Sequence, residues 1–317
     1  CKLSRGLGDV YKRQVLADRE VLERPASVWT ARSSFRRFAD QGHELFHMLL
    51  GPVAERVGAA RRLIVVPDRQ LHLLPYEALV ATAPRPGRPL DFLAASHAVE
   101  YLPAAAMLEA RAGAGPPIDR VIVVAATQGQ PDLELPPLLH AADEVRAVLD
   151  AYPEGRVALL EQDAATLERL TGAASQPIDV LHLIAHAGLD VVRGPRILLH
   201  GPDGAAEWLD VETLPRLEPA PRLVILSACD TARGELVGGE GILGLVRAFT
   251  LAGSDQVVAS LWKVDDARTS VMMGRLHQEL RAGTPPSEAM RYARSEMLAA
   301  GYEHPFPWAG LVLHGTD

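Results

Sequence analysis

IDVLHLIAHAG (residues 178–188) and PRLVILSACDTARGE (residues 221–235) share one layout. Each is a hydrophobic run that ends in small or polar residues, with His186 closing the first and Cys229 closing the second. Both read as strands. The neighbouring segments extend the pattern. DRVIVVAA (119–126), RVALLE (156–161) and DQVVASLW (255–262) are further strands. Between them stand the helix-periodic HAADEVRAVLDAY (140–152), DAATLERLTG (163–172, with Asp163 as N-cap) and GEGILGLVRAFTLAG (239–253). Strands that alternate with helices of this length predict an α/β fold with a mostly parallel sheet flanked by helices. RILLH (196–200) and WAGLVLHG (308–315) are added strands, and LDVETLPRL (209–217) reads as a helix with Asp210 near its cap. The closing helices are 265–283 and 285–301, the second starting on Pro285-Pro286.

The amino-terminal part divides differently. CKLSRGLGDVYKRQ (1–14) resembles translated adapter sequence and carries no fold information. Residues 15–58 form a helical lead-in broken at Gly51-Pro52, a candidate end of a repeat region. Residues 60–115 make an N-terminal half: a strand at RRLIVVPD, a strand turning into a helix in LHLLPYEALV, a strand at HAVEYLP, and a short Ala-rich helix to Arg111. RAGAGPPIDR (111–120) is the internal boundary, and 118–317 form the second half.

Composition narrows the function. The chain has 317 residues, a net charge of −8 and a pI near 5.8, without a basic stretch that would point to nucleic acid. No apolar run is long enough to span a bilayer, which predicts a cytoplasmic protein without membrane contact. Cys1 and Cys229 are the only cysteines, so a disulfide framework is not expected. No histidine–cysteine cluster has metal-ligand spacing, and no metal or other cofactor is expected.

If the strands bearing His186 and Cys229 lie in one parallel sheet, their carboxyl ends meet at the crevice where such sheets bind ligands. A cysteine beside a histidine there is a nucleophile–base pair, because the imidazole raises the share of reactive thiolate at neutral pH. The amides of Ala187, Gly188 and Cys229 are candidate oxyanion donors. His182 falls on the same side of its strand as His186 and is a supporting residue or an alternate base. Asp230 follows the cysteine as a second supporting residue. The glycine run 238–241 lacks the Gly-Lys-Ser/Thr ending of a phosphate loop.

LHLIAHAG, LSACDTARGE, GEGILGLVRAFTLAG and ASLWKVDDART, in that order, resemble the CHAT domain family of caspase-like, separase-related clan CD cysteine peptidases. VVPDRQLHLLPYEALV (65–80) and HPFPWAGLVLHG (304–315) extend the likeness to roughly residues 60 to 315. One departure stands out: many members read His-Gly where this chain reads His186-Ala187-Gly188, which bears on the oxyanion site. The resemblance implies a caspase-hemoglobinase-like fold with an N-terminal pseudo-repeat half. It also implies a cysteine endopeptidase with a Cys229–His186 dyad, acting on a protein or peptide substrate in bacterial signalling or defence. Control would come from upstream tetratricopeptide-like repeats or a separate sensor protein. Asp265 and Asp266 are on residue grounds a helix cap and a first-turn acid; the resemblance makes one of them part of a pocket for a basic residue before the cleaved bond. Trp262 in the same segment and Glu240, otherwise a helix-entry acid, would line that pocket. Two other classes compete: a catalytically idle caspase-fold interaction domain in a signalling complex, and a thioester hydrolase, which would normally present its nucleophile on a Gly-x-nucleophile-x-Gly elbow.

Overall fold

A computed structural model describes residues 28–108, 118–139, 141–190, 192–201, 204–230, 240–262 and 266–317; side chains at 31–34, 70, 228–230, 240–242 and 266–267, and at 28–30, fall outside the description. Among the described residues ten strands make one sheet. They are β1 (Arg62–Val65), β2 (Ala98–Tyr101), β3 (Val121–Ala126), β4 (Val157–Glu161), β5 (Val180–Asp190), β6 (Gly194–His200), β7 (Ala206–Asp210), β8 (Leu223–Asp230), β9 (Gln256–Ser260) and β10 (Leu311–His314). The main path runs β1-β2-β10-β9-β8-β5-β3-β4, with β6 paired to the outer part of β5 and β7 paired to β6.

Strands β9, β8, β5, β3 and β4 are mutually parallel, and so are β1, β2 and β10. The two blocks meet antiparallel at β9 and β10. The sheet is therefore mostly parallel, as the strand–helix alternation predicts. Segments 60–115 and 118–317 contribute to the same sheet, the former through β1 and β2 at one edge.

Eight helices accompany it among the described residues: α1 (Val28–Leu49), α2 (Ala54–Ala59), α3 (Leu93–Ser96), α4 (Ala141–Ala151), α5 (Leu167–Ala173), α6 (Glu240–Ala252), α7 (Asp266–Arg281) and α8 (Pro286–Ala299). Strand alternation divides the core into two faces. Val121, Val123 and Ala125 of β3 pack with Val145 and Val148 of α4, Met273 and Leu276 of α7 and Met290 of α8. Ile122, Val124 and Ala126 face the other way, with Leu170 of α5 and Leu245 and Phe249 of α6. Each strand buried on both faces needs no polar residue, which is why these runs are continuously apolar.

The structure corrects several sequence expectations. Residues 209–217 are not a helix: β7 ends at Asp210, whose carboxylate accepts the N–H groups of Glu212 and Thr213 and turns the chain. Such local side-chain bonds compete with helix formation. The cap of α5 is Thr166, which accepts the Arg169 N–H at 3.1 Å, while Asp163 lies in a single 3₁₀ turn. LHLLPYEALV forms two 3₁₀ turns around Pro75 instead of a strand and helix. Only one 3₁₀ turn, Ala105–Met107, follows β2, and residues 109–117 lie outside the description. Residues 1–27, with the adapter-like stretch, lie outside it too.

Candidate active site

Strand order reverses around β3. The chain passes from β3 to β4 on one side and returns to β5 on the other, so β3 and β5 flank a topological switch point. Ligand crevices in open α/β sheets form at such points, beyond the carboxyl ends of the strands. His186 lies in β5 one residue beyond the last β3 pairing, Ala126 with Ala185. On the other side of β5, His186 is in direct register with Cys229 of β8. The two residues thus occupy neighbouring positions on adjacent parallel strands. The Cys229 side chain is outside the description.

The segment after β3 folds over this end of the sheet. Gln130 and Leu135 exchange two backbone hydrogen bonds, and Leu138 N–H donates to the Thr127 carbonyl. The Gln130 amide also donates to the Gly204 carbonyl at 3.1 Å, tying the segment to the β6–β7 turn. The Pro136 carbonyl meets His186 Nε2 at 2.7 Å, and His186 is 1% exposed. A carbonyl only accepts, so Nε2 carries the hydrogen and Nδ1 keeps the basic lone pair of the neutral ring. The Pro136 carbonyl, a main-chain group, thereby selects the Nε2–H tautomer of His186.

His186 does not end its strand. β5 continues to Asp190, and Ala187 and Gly188 pair with Ile197 and Arg196 of β6. The hairpin closes on the Asp190 carboxylate, which accepts the Val192 and Arg193 N–H groups, and on Gly194 at φ 78°. Those amide bonds hold the Asp190 carboxyl below the usual range. The small residues after His186 therefore lie in a two-stranded ladder with β6.

His182 lies four residues earlier on β5, fully buried. Its Nε2 meets Glu144 Oε1 at 3.1 Å and its Nδ1 meets His277 Nε2 at 3.0 Å. The two rings are stacked with centroids 5.1 Å apart. Tyr152 hydroxyl reaches His277 Nδ1 at 3.0 Å, and Ser227 hydroxyl donates to Glu144 Oε2 at 2.8 Å. With Glu144 as a carboxylate, every bond has a consistent direction: Tyr152 to His277, His277 to His182, and both His182 and Ser227 to Glu144. Burial and then the neighbouring His182 hold His277 well below its usual range, keeping that ring neutral.

Trp262 is 7% exposed, stacks on Phe306 and donates its indole N–H to the Phe306 carbonyl at 3.0 Å. Asp265 and the side chains of Asp230, Glu240 and Asp266 lie outside the described residues. Among the described residues no group of three or more His, Cys, Asp or Glu side chains could hold a metal, and no helix is long and apolar enough to cross a membrane. Pro136, Glu144, Ser227, Tyr152 and His277 were not singled out by sequence. Glu144 and His277 leave a trace there, as polar residues on the apolar stripes of α4 and α7.

Comparison with known proteins gives three findings. The family model described as CHAT domain matches residues 39–316. Tetratricopeptide repeat protein 28 is 33% identical over 117 residues in Mus musculus and 32% over 114 residues in Homo sapiens, 36% of this chain in each case. This chain spans 4% of the length of those relatives. Similar solved structures include the Saccharomyces cerevisiae separase–securin complex (TM-score 0.48, 16% identity, 80% of this chain and 15% of that one). Another is the Arg-specific cysteine proteinase gingipain R (TM-score 0.39, 12% identity, 62% and 46%).

Proposed function

This chain belongs to the CHAT domain family, and from that premise we propose that it is a cysteine endopeptidase with Cys229 as nucleophile and His186 as general base. The observation that carries the reading is the register of His186 with Cys229, combined with the Pro136 carbonyl on His186 Nε2. In the proposed reaction Nδ1 of His186 takes the thiol proton, and the thiolate attacks the substrate carbonyl. Of the backbone amides of Ala187, Gly188 and Cys229, those that the pairing of β5 with β6 and β8 leaves free hold the oxyanion. His186 then protonates the leaving amine, and water releases the acyl-enzyme. While His186 carries the extra proton, its bond to the Pro136 carbonyl becomes charge-assisted and stronger. No carboxylate partner is needed for that step.

Specificity belongs to the same proposal. Asp265 or Asp266, with Glu240 and Trp262, forms an acidic pocket that favours Arg or Lys before the cleaved bond. The likeness to a tetratricopeptide repeat protein supports control by a repeat module or sensor protein; a cytoplasmic location belongs to the same proposal. His182 and Asp230 support the dyad.

The test is turnover of a fluorogenic peptide library, varied at the residue before the cleaved bond, by the full chain beside Cys229→Ala and His186→Ala. Turnover after Arg or Lys, lost in both variants, is expected. Turnover that survives in Cys229→Ala overturns the mechanism, and a preference for Asp overturns the pocket. A silent protein whose Cys229 still takes a peptidyl electrophile is a latent enzyme. A Cys229 inert to that reagent as well leaves an interaction domain.

A further inference from the structure

The proposed mechanism uses His186, Cys229 and the Pro136 carbonyl, with His182 in support, and leaves Tyr152, His277, Glu144 and Ser227, joined through His182 in one buried chain, without a part. Glu144 is the member that joins separate elements. It is 3% exposed in the first turn of α4, and its two oxygens go to different strands: Oε1 to His182 of β5, Oε2 to Ser227 of β8. Those strands carry His186 four residues after His182, and Cys229 two residues after Ser227. Helix α4 begins five residues after Pro136. Upstream, the loop that bears Pro136 is held by its Gln130–Leu135 and Thr127–Leu138 bonds. Downstream, the turn that Glu144 anchors opens at Ala141.

We propose that Glu144 is a positioning residue for the reaction proposed above, on which this inference rests. By fastening the start of α4 to both β5 and β8, it sets where the Pro136 carbonyl stands relative to His186. Through that carbonyl it sets the ring orientation and tautomer of the base. The action is geometric. A glutamine at 144 preserves it, with its oxygen accepting from His182 and its amide donating to the Ser227 hydroxyl. An alanine removes both ties.

Glu144→Ala, Glu144→Gln and Ser227→Ala are compared in the full chain. Two readouts are taken: kcat and KM per folded molecule, and histidine-ring nitrogen spectra that report the tautomer of His186. Glu144→Ala is expected to lower kcat by about ten- to a hundredfold with KM within about twofold, because misplacement of about 1 Å costs up to about 10²-fold. The His186 signal should move from a single Nε2–H form to a mixture. Glu144→Gln should stay close to wild type in both readouts. Should Glu144→Ala not fold, Ser227→Ala, which cuts one tie, carries the test with a smaller loss in the same direction. A melting temperature that falls while kcat and the His186 signal stay put overturns the proposal. So does a Glu144→Gln protein as impaired as Glu144→Ala, since charge would then be what matters. If wild type neither turns over peptides nor takes the electrophile, yet the His186 signal still responds to Glu144→Ala, the positioning stands and the peptidase reading falls.

Discussion

At Gly129 an added methyl carbon would stand 3.0 Å from the Leu135 carbonyl oxygen and 3.1 Å from the Pro137 ring. Both neighbours are main chain or proline, with little freedom to yield. Gly129→Ala should therefore destabilise the protein by about 1–3 kcal/mol, the usual cost of overpacking. Because Pro136 lies between those two contacts, the peptidase turnover proposed above should fall more than stability alone explains. Thermal unfolding and turnover measured together check this, and a variant that melts lower but turns over normally would separate the loop from the base. At this scale the sequence is uneven evidence. The meeting of His186 with Cys229 is legible because a histidine and a cysteine late in two apolar strands of one parallel sheet stand out from their neighbours. The Pro136 contact is illegible because a carbonyl has no side-chain signature. Glu144 lies between these cases: Ala141, Val145 and Val148 mark a buried stripe on α4, and an acid among them must find partners.

Helix α8 is fastened to the amino-terminal elements by a buried ion pair. Arg294 and Glu77 are both fully buried, 2.8 Å apart, and Tyr101 of β2 also donates to Glu77. The same guanidinium reaches the Leu311 carbonyl of β10 at 2.7 Å. Arg294→Met leaves Glu77 without its counter-charge and should cost about 3–5 kcal/mol. Adding Glu77→Gln should recover most of that loss, since no buried charge then remains and Tyr101 keeps its bond. A double variant no better than Arg294→Met, measured by chemical denaturation, would show that shape and not charge matters there. This pair also explains a misreading at the level of elements. Leu71–Val80 has strand- and helix-like composition, but Tyr76 N–H donates to the Tyr101 hydroxyl and Glu77 turns inward to Arg294, so tertiary bonds hold two short turns. The long parallel strands and α4, α6, α7 and α8 were legible, because period and length agree with burial. Segments 187–190 and 206–210 were not, because hairpin pairing is decided by a partner strand rather than by local pattern.

Across the whole molecule, buried titratable groups give stability a definite pH dependence. Burial, then the Asp317 carboxylate, push Glu100 up to about 7 from an ordinary value of 4.5. The folded protein thus holds a proton that the unfolded chain releases, so stability falls as pH rises from about 4.5 through about 7. Glu100→Gln should match wild type below about pH 4.5 and exceed it at pH 8, by on the order of 1–3 kcal/mol. Burial, then His72, lower His314 to about 4, and His277 is lowered as well. Unfolding takes up protons at those two sites, so stability also falls as pH drops below about 6.5. Comparing melting temperatures of Glu100→Gln and wild type from pH 4 to 8 isolates the first effect. A gap that does not widen with pH would remove Glu100 as its source.

Strand β10 lies between β2 and β9, although it follows every other described strand in sequence. During synthesis β2 leaves the ribosome roughly 200 residues before the strand that joins it to the rest of the sheet. At about 5–20 residues per second, the β1–β2 pair waits about 10–40 s for that neighbour. The larger parallel block, with both His186 and Cys229, is complete once β9 has emerged. A nascent chain can therefore assemble the strands that carry His186 and Cys229 while β1 and β2 remain unjoined. Translation, by delivering β10 late, sets the moment at which the β1–β2 pair and the larger parallel block become one body.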